Sequence, residues 1–416
     1  MYRGSVALLV ALAAFILRPP PMLAQEPERG ETVTSRVRPE LDPLGVRIGG
    51  FLLYPRLSLG EQVDDNIFAV NDNQDTDFIT TITPDVRLRS DWNNHALNID
   101  GALTVGRYAD HQSENFEDFR VGIDGRVDVR RNSNASALIR YKELHEGRGS
   151  PDDQRGSEPT EYSVTNFLLS YFHRFNRLSF DVDGTMDLWN FDDVSTSTGS
   201  LNQDDRDRTV AKGTFRAGYE IVPEYEAFMR GSVSTIRYDE DLDDFMLNRD
   251  SVGYELAVGT AIDFSGVTFG DFYVGYTARD YDDNALNTVE GFTLGGKITW
   301  NMTGLTTLTG YITRTIEETT SSLASGRFTT QLGVTADHEL LRNLLLNARI
   351  LGIRREFEGI DRDDNDLQFG LGAKYMMNRN LYGLLDYNLR FRDSDGSDDG
   401  TDFLINTVML KIQAQF

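Results

Sequence analysis

Cysteine is absent from the 416 residues of this chain, and long apolar runs are scarce. Without cysteine the chain can form neither disulfides nor thiolate metal sites. Hydrophobic residues make up 39% of the sequence, too few for a bundle of membrane helices that each need roughly 20 consecutive apolar residues. Basic residues are outnumbered, since 41 Lys and Arg face 66 Asp and Glu for a formal net charge of -25. Nucleic acid is therefore not an expected partner, because phosphate contacts require clustered positive charge.

The one long apolar run lies near the amino terminus. Arg3 precedes the run Val6–Leu17, and the small residue Ala24 follows it. This order of charge, apolar run and small residue predicts a secretory signal peptide over residues 1–24, and hence export. Met22 is a poor residue for its place just before the predicted cleavage, so an uncleaved anchor is the alternative.

The pattern of the sequence changes at Phe51, from a segment without periodicity to segments of alternating residues. Residues 25–50 are rich in Pro, Arg and Glu and lack periodicity, which predicts an extended periplasmic leader. Beyond them, apolar and polar residues alternate in long segments up to the last residue. In the final segment Val408, Leu410 and Ile412 share one parity, and polar residues occupy most of the other. A period of two is typical of a β-strand with two different faces.

The connections between these segments alternate between short and long ones. The long ones are acidic and polar, as in residues 145–161 and 238–250. The short ones have the composition of tight hairpin turns. We place them at Trp92–Asn94, Arg131–Asn134, Phe175–Arg177, Val222–Glu224, Ser265–Gly266, Asn301–Gly304, Leu341–Asn343 and Met377–Asn380. Two strands per short turn, plus the first and the last strand, give about 18 antiparallel strands.

A transmembrane barrel accounts for this pattern better than the soluble alternatives. A propeller has a sequence repeat similar in length to the interval between successive short turns, but it fits four short strands into each repeat. A sandwich rarely has strands and loops of such uniform length. In lipid a sheet must close so that every backbone group is paired. Outer-membrane strands are apolar outward and polar inward, with short periplasmic turns and long external loops. The predicted fold is therefore an all-β, antiparallel up-and-down transmembrane β-barrel over residues 51–416, located in the cell outer membrane.

Aromatic residues cluster at both ends of the predicted strands. Beside the short turns and the terminus lie Phe175, Tyr225, Phe264, Trp300 and Phe416. At the long loops lie Tyr108, Tyr141, Trp189, Tyr238, Tyr281, Phe357 and Phe391. Two such rows predict aromatic girdles at the two membrane interfaces. The alternative is the ordinary enrichment of aromatics in strands.

The segment from Arg38 to Phe68 resembles a known family. Phe51–Pro55, Gly60–Glu61 and Asp64–Phe68 are similar to the first strand of the "putative β-barrel porin" family of type 2, although Val63 stands where an aromatic is expected. The resemblance extends as a pattern to Phe416. It implies an outer-membrane barrel, of a kind found beside exopolysaccharide and capsule machinery.

Charged residues of both signs fall on the parity that faces the lumen. The pore-lining prediction names Arg87, Arg89, Arg126, Lys212, Arg216, Arg230, Arg349, Asp124, Glu255 and Asp271. Other charges on this parity are Arg120, Arg208, Arg390, Asp85, Asp128, Glu226 and Asp386. Charges that face water suit the wall of a hydrated channel. Equally, they could form cross-strand ion pairs that stiffen the wall.

No motif for metal binding or catalysis stands out. Residues 361–372 carry alternating oxygen ligands, but Asp366 and Gly372 occupy the places where a calcium loop of the EF-hand type needs glycine and glutamate. His111 and His145 lie on the loop side, near Asp110 and Glu143 in sequence, which is weak support for a hydrolase. We expect no cofactor and no enzymatic activity.

The expected function is the passage of hydrophilic solutes through an aqueous lumen, because a barrel of about 18 strands is too wide for side chains to fill. Acidic external loops should enrich cations at the mouth. Two alternatives remain: an export conduit for an extracellular polysaccharide, and a structural or adhesive barrel plugged by its loops. Expected partners are outer-membrane lipid, lipopolysaccharide and the barrel-assembly machinery. Periplasmic polysaccharide-export components would be a further partner, with the leader as their docking place.

Overall fold

The computed structural model describes residues 31–196, 199–264, 266–321 and 324–416. The predicted signal peptide, the first residues of the leader and Ser265 of one predicted turn lie outside these ranges. Within them, the chain forms no helix with the length and hydropathy of a membrane span.

The described residues form 21 strands and two single-turn 3-10 helices. A short strand β1 (Val46–Ile48) precedes the long ones. The next seven strands are β2 (Phe51–Asp64), β3 (Asp77–Ser90), β4 (Ala96–Tyr108), β5 (Phe116–Arg130), β6 (Ser133–His145), β7 (Glu161–Phe175) and β8 (Leu178–Phe191). A two-stranded hairpin of β9 (Val194–Thr196) and β10 (Gly199–Leu201) follows. The 3-10 helices are η1 (Gln112–Glu114) and η2 (Asp204–Arg206).

The remaining strands complete the sheet in chain order. They are β11 (Arg208–Val222), β12 (Tyr225–Tyr238), β13 (Ser251–Phe264), β14 (Thr268–Tyr281), β15 (Val289–Thr303), β16 (Thr306–Glu317), β17 (Gly326–Leu341), β18 (Leu344–Glu358), β19 (Asp363–Met376), β20 (Leu381–Asp395) and β21 (Phe403–Gln415).

The sheet closes on itself. Each long strand pairs antiparallel with its neighbours in sequence, and β8 pairs with β11 across the small hairpin. The last strand β21 pairs with both β20 and β2, from Arg56 opposite Gln415 to Asp64 opposite Thr407. Closure leaves no free edge among the long strands, so backbone N–H and C=O groups find partners within the sheet. The predicted antiparallel barrel of 18 strands is confirmed.

The predicted short turns fall where the strands break. Among the described residues, each predicted turn lies at or overlaps the junction of two successive long strands, for instance Phe175–Arg177 at the junction of β7 and β8. At that turn Asn176 adopts a positive φ of 54°, which asparagine tolerates better than most residues. The long connections all lie at the other end of the barrel, so turns and loops are separated as expected for an outer-membrane protein.

The two faces of the wall have opposite character. On the outer face, Val182 and Leu371 are 50% and 46% exposed when the chain is taken without a membrane around it. Asp183 and Gln368 have the opposite parity and point inward, since neighbours in a strand project to opposite faces. The largest apolar surface of the protein is thus on its outside, where acyl chains of the membrane can cover it.

The aromatic residues beside the turns face outward, but most of those predicted for the loop-side girdle do not. Phe175, Trp300 and Phe416 are 58%, 43% and 61% exposed on the outer face. At the loop end Tyr141 and Phe391 also face outward. The prediction is wrong for Tyr108, Trp189, Tyr238, Tyr281 and Phe357, whose parity places them inside the barrel. They support folded loops there: Tyr238 and Tyr281, for example, donate hydrogen bonds to Glu318 at 3.1 and 3.3 Å.

Arginine at Leu371 or Val182 should impair assembly of the barrel. We expect a cost of about 2–4 kcal/mol for a charge near the membrane midplane, because the guanidinium would face acyl chains. Folding into lipid vesicles, followed by the shift in gel mobility between folded and heated protein, measures this. Gln368→Arg and Asp183→Arg are the matched controls on the inner face and should fold normally. Equal behaviour of the two sets would contradict the assignment of the faces.

Candidate functional site

The predicted pore-lining residues all lie on the inner face of the barrel. Their parity is opposite to that of exposed apolar neighbours, such as Val86 beside Arg87 and Phe215 beside Arg216. They belong to β3, β5, β11, β12, β13, β14 and β18, so they are distributed around much of the ring. That they line a conducting pore stays a prediction.

Several of these residues pair with one another or with other inner charges. Arg216 donates to Glu226 at 2.9 Å and lies 3.9 Å above the ring of Phe228. Arg230 lies 3.3 Å from Glu255, and Arg126 lies 2.9 Å from Asp128. Arg126 and Asp128 both belong to β5, whereas the other two pairs join neighbouring strands. Those two cross-strand pairs support the alternative that the charges stiffen the wall.

The other members of the set are less fully compensated. Asp124 accepts a hydrogen bond from Asn98 at 2.8 Å, and Arg349 donates one to Asn388. Across the described ranges no oppositely charged side chain comes within ion-pair distance of Arg87, Arg89, Lys212 or Asp271. These four groups are therefore the part of the set most suited to interact with water and solute in the lumen.

A loop of residues 146–160, here called the crossing loop, connects β6 to β7 and reaches the far side of the barrel mouth. Both guanidinium N–H groups of Arg327 on β17 donate to Asp152, at 2.9 and 2.8 Å. Arg390 on β20 donates to the carbonyl of Gly149 at 2.6 Å. Strands β17 and β20 lie across the ring from β6 and β7. The loop therefore narrows the outer opening of the lumen.

A second ion pair holds the base of the crossing loop. Arg148 donates to both carboxylate oxygens of Glu114 in η1, at 2.8 and 2.7 Å, and both side chains are at least nine-tenths buried. A Cβ at Gly149 would lie 2.6 Å from Nη1 of Arg390, so a larger residue there would displace the Arg390 side chain. These contacts fix the loop at several separate points.

The Asp152 carboxyl is held in its charged form. Burial alone would raise its pKa, but the charge and hydrogen bonds of Arg327, with the amide of Thr320, outweigh burial and lower the pKa below its ordinary value. A carboxylate with a lowered pKa stabilises the closed loop above about pH 4, and that stabilisation disappears as the pH falls through the lowered pKa. The crossing loop should thus stay docked at neutral pH.

Other loops fold inward around the crossing loop. A cavity of about 210 Å³ lies between it and the loops 192–207 and 239–250, with Gln154, Asn202 and Asp243 among its lining. Arg206 of η2 bonds to Glu146 at the start of the crossing loop, at 3.2 Å. The mouth is therefore lined by interlocked polar loops rather than open to the full width of the barrel.

The described part of the leader lies in the opposite end of the barrel. Arg38 is 2% exposed and donates to Glu339 on β17 at 2.6 Å. Val33, 1% exposed, donates its N–H to Thr307 at 3.0 Å, and the Tyr382 hydroxyl donates to the carbonyl of Leu41 at 2.8 Å. The partners on β16, β17 and β20 all have inward parity, so residues 31–42 occupy one sector of the turn-side opening.

The acidic stretch at residues 361–366 is not a calcium-binding loop. Strand β19 begins at Asp363, and Asp366 on its inner face is bound by Arg355, Arg390 and Arg392 at 2.8–3.1 Å. Arg362 donates to both oxygens of Asp364 at 2.9 and 2.8 Å. Arginine, not metal, compensates these carboxylates. No group of ligand residues suited to a metal ion occurs in the described part of the chain.

The loop-side histidines contact carboxylates other than those nearest in sequence. Nδ1 of His111 lies 3.0 Å from Asp77, and Nδ1 of His145 lies 2.8 Å from Asp118. The backbone N–H groups of both histidines also donate to the same carboxylates. Both aspartates therefore anchor the ends of strands, which is a structural use of a His–Asp pair.

Sequence reasoning did not identify the crossing loop or the buried leader as parts of the lumen. Asp152 appeared only as one of many acidic loop residues, and Arg327 was assigned no role. The paired Asp152–Asp153 after Pro151 carries no signal that distinguishes it from other solvated loop charges. A contact between residues 175 positions apart depends on the closure of the barrel.

Comparisons with known proteins identify one family model that matches this chain and several solved structures that are similar to it. A family model described as "Putative beta-barrel porin 2" matches residues 38–416. The chain is similar to the solved structure of OpdL from Pseudomonas aeruginosa, with 13% identity, 89% of this chain and 100% of that chain covered, and a TM-score of 0.43. For OccAB4 of Acinetobacter baumannii the values are 10%, 88%, 98% and 0.45. The search of curated proteins found no match.

Asp152→Asn should release the crossing loop. We expect docking to weaken by about 1.5–3 kcal/mol, because Arg327 would lose its bidentate charged partner and keep only the longer contact with Glu317 at 3.6 Å. The measurement is single-channel conductance in a planar lipid bilayer, which should increase. Asp399→Asn removes the same charge from an exposed loop residue and should leave conductance unchanged.

Acid provides a second way to break the same contact. Wild-type conductance should be constant from pH 7 to pH 5 and should rise below about pH 4, as Asp152 takes up a proton. The Asp152→Asn protein should lack this rise. Identical conductance of the two proteins at every pH would contradict a role of Asp152 in closing the mouth.

Glu339→Gln should free the leader from the turn-side opening. The change leaves the buried Arg38 without its anion. Trypsin should then cleave the leader after Arg36 at a rate about tenfold higher or more, which corresponds to a loss of about 1.4 kcal/mol or more in the free energy that holds the leader in place. Glu40→Gln is the control, because it removes an exposed pair with Arg342 that is worth at most about 1 kcal/mol. Equal resistance of the leader in both variants would show that Arg38–Glu339 does not hold it.

Proposed function

Because the chain belongs to the family described as Putative beta-barrel porin 2, we propose that it is a passive pore for hydrophilic solutes in the outer membrane. Solutes would pass between the inward-facing loops at the outer mouth and leave beside the leader at the other end. No covalent chemistry is involved, and selection among solutes would come from the width of the mouth and from the charge of the wall.

The observation that carries this proposal is the inner face of the barrel. Its strands present charged side chains of both signs to the lumen, together with hydroxyl side chains. Many of the charged side chains are exposed, such as those of Arg87, Arg120 and Lys297. An 18-strand barrel encloses more space than its side chains fill. The acidic excess of the chain lies mainly in the connections, while acidic and basic groups on the inner wall are close to balance.

The inward folding of the loops bears on the alternative of a plugged structural or adhesive barrel. The crossing loop and its neighbours narrow the mouth, but cavities remain between them and along the wall. A sealed barrel would leave little water at its inner wall, and charged side chains without water or a partner are costly. The exposed charges of the wall therefore favour a lumen that contains water. The pore is therefore the better supported of the two functions.

Polysaccharide export stays a prediction from the family resemblance. The described residues of the leader contact the inside of the barrel, so they offer less free surface to periplasmic export components than an extended leader would. Membrane lipid, lipopolysaccharide and the barrel-assembly machinery likewise stay predicted partners. The contacts of His111 and His145 give no support to a hydrolase.

The purified full-length protein should conduct ions in a planar lipid bilayer without any partner. We expect discrete current steps in KCl, because the lumen is lined by water-exposed charges. Multi-subunit assembly is not required for this result. An absence of current steps from both the wild-type protein and the Asp152→Asn variant would contradict the pore and favour the plugged barrel.

A further inference from the structure

Four neighbouring strands, β3 to β6, bring a group of cations together on their inner face. They line a cleft of about 480 Å³, here called the basic cleft. Its cations are Arg87, Arg89, Arg120, Arg140 and Lys142, and its only carboxylates are those of Asp100 and Asp124. A second cleft of about 400 Å³, between β7 and β13, has the opposite composition, with five carboxylates and two arginines. The two clefts thus have opposite surpluses of charge.

The strand register arranges the basic cleft in rows. Arg87 lies opposite Asp100, Asp100 opposite Gly122, and Gly122 opposite Arg140. One row nearer the loops, Arg120 lies opposite Lys142. Directly paired residues in antiparallel strands project from the same face about 5 Å apart. The cations therefore lie in two groups, on β3 and on β5–β6, on either side of Asn98 and Asp100 of β4.

Arg120 is paired with Asp85 of β3 at 3.3 Å, but the two carboxylates that line the basic cleft do not neutralise its other cations. The guanidinium of Arg140 is 3.6 Å from Asp100, and its buried Nε has no hydrogen-bond partner among the described residues. Asp124 already accepts a hydrogen bond from Asn98. Within the described ranges no carboxylate lies within ion-pair distance of Arg87, Arg89 or Lys142. Two of these, Arg87 and Arg89, are exposed to the lumen.

Gly122 keeps the middle of the cleft open. A Cβ at this position would lie 3.0 Å from both Arg140 Nε and Asp100 Oδ1. Any larger residue would push these two groups apart and fill the space between the cations of the row. Glycine leaves bare backbone between Arg87 and Arg140, so a small solute can approach both groups of cations.

We propose that the basic cleft is a binding subsite for solutes that carry carboxylate or phosphate groups. Guanidinium groups bind the oxygens of such anions through paired, charge-assisted hydrogen bonds, and the adjacent lysine adds a further positive charge. A solute with two anionic groups can contact both a cation on β3 and one on β5 or β6. The inference rests on the proposed pore, since a solute reaches this wall only through the lumen.

The position of the cleft explains how an acidic protein can pass anions. The acidic loops at the mouth oppose the entry of anions, most strongly at low salt, because exposed charges are screened beyond about 10 Å at 0.1 M ionic strength. Inside the barrel the basic cleft provides the compensating attraction. Affinity of the cleft for anions should therefore fall as salt is raised.

Block of the current by small anions tests the proposal. Succinate or inorganic phosphate is added to the full-length protein in a planar bilayer in dilute KCl. Both are expected to reduce the current. The double variant Arg87→Gln/Arg89→Gln should raise the half-blocking concentration about tenfold, because it removes the two exposed cations of β3 that have no carboxylate partner. Block by only one of the two anions would assign the cleft to that chemical class.

The control removes the same charge from the other side of the lumen. The variant Lys297→Gln/Arg349→Gln changes β15 and β18 and should keep the wild-type half-blocking concentrations. The subsite would be overturned if wild type and Arg87→Gln/Arg89→Gln were blocked equally, or if the control variant lost as much anion block as the double variant. Normal KCl conductance in the same experiment would show that the pore itself still stands. An absence of any conductance would instead overturn the pore itself. Should the double variant fail to fold, Lys142→Gln takes its place with the same criteria.

Discussion

The pairing of backbone polar groups is the constraint on which the rest of this structure depends. Acyl chains offer no hydrogen-bond partner, so a sheet that crosses the membrane has to close. Closure is completed by β21, which pairs with β20 on one side and β2 on the other. It also removes the apolar core that a soluble protein would have. The exposed side chains of residues such as Leu410 and Leu256 face lipid instead, at 58% and 62% exposure.

Once the ring is closed, its inner face has room for charge. Arginines and carboxylates on this face pair across strands in some places and stay uncompensated in others. The pairs around Asp366 and between Arg216 and Glu226 stiffen the wall, whereas the basic cleft leaves cations open to the lumen. Both interpretations of the inner charges thus apply, in different sectors of one barrel. The sectors differ because the supply of carboxylates differs from strand to strand.

The openings of the barrel are controlled by segments that fold inward. At the loop side the crossing loop spans the mouth and is anchored by the bidentate Asp152–Arg327 pair. At the turn side the leader is held by Arg38 and Glu339. Both anchors are buried ion pairs, which are costly to break singly but add little when both partners are replaced by apolar groups. Their use here fits segments whose position, rather than stability, is what matters for passage.

The sequence by itself determined the strands, their number, the side of each connection and the parity of every inner charge. These follow from a period of two and from turn residues, which are local properties that each segment carries alone. Tertiary structure alone decided which inner charges meet, as for Arg174 of β7 with Glu226 of β12. It also decided that Tyr238 and Phe357 face inward beneath the loops, and that Asp152 and the leader lie within the openings. These contacts join residues far apart in the chain, and only the closed ring brings them within reach of one another.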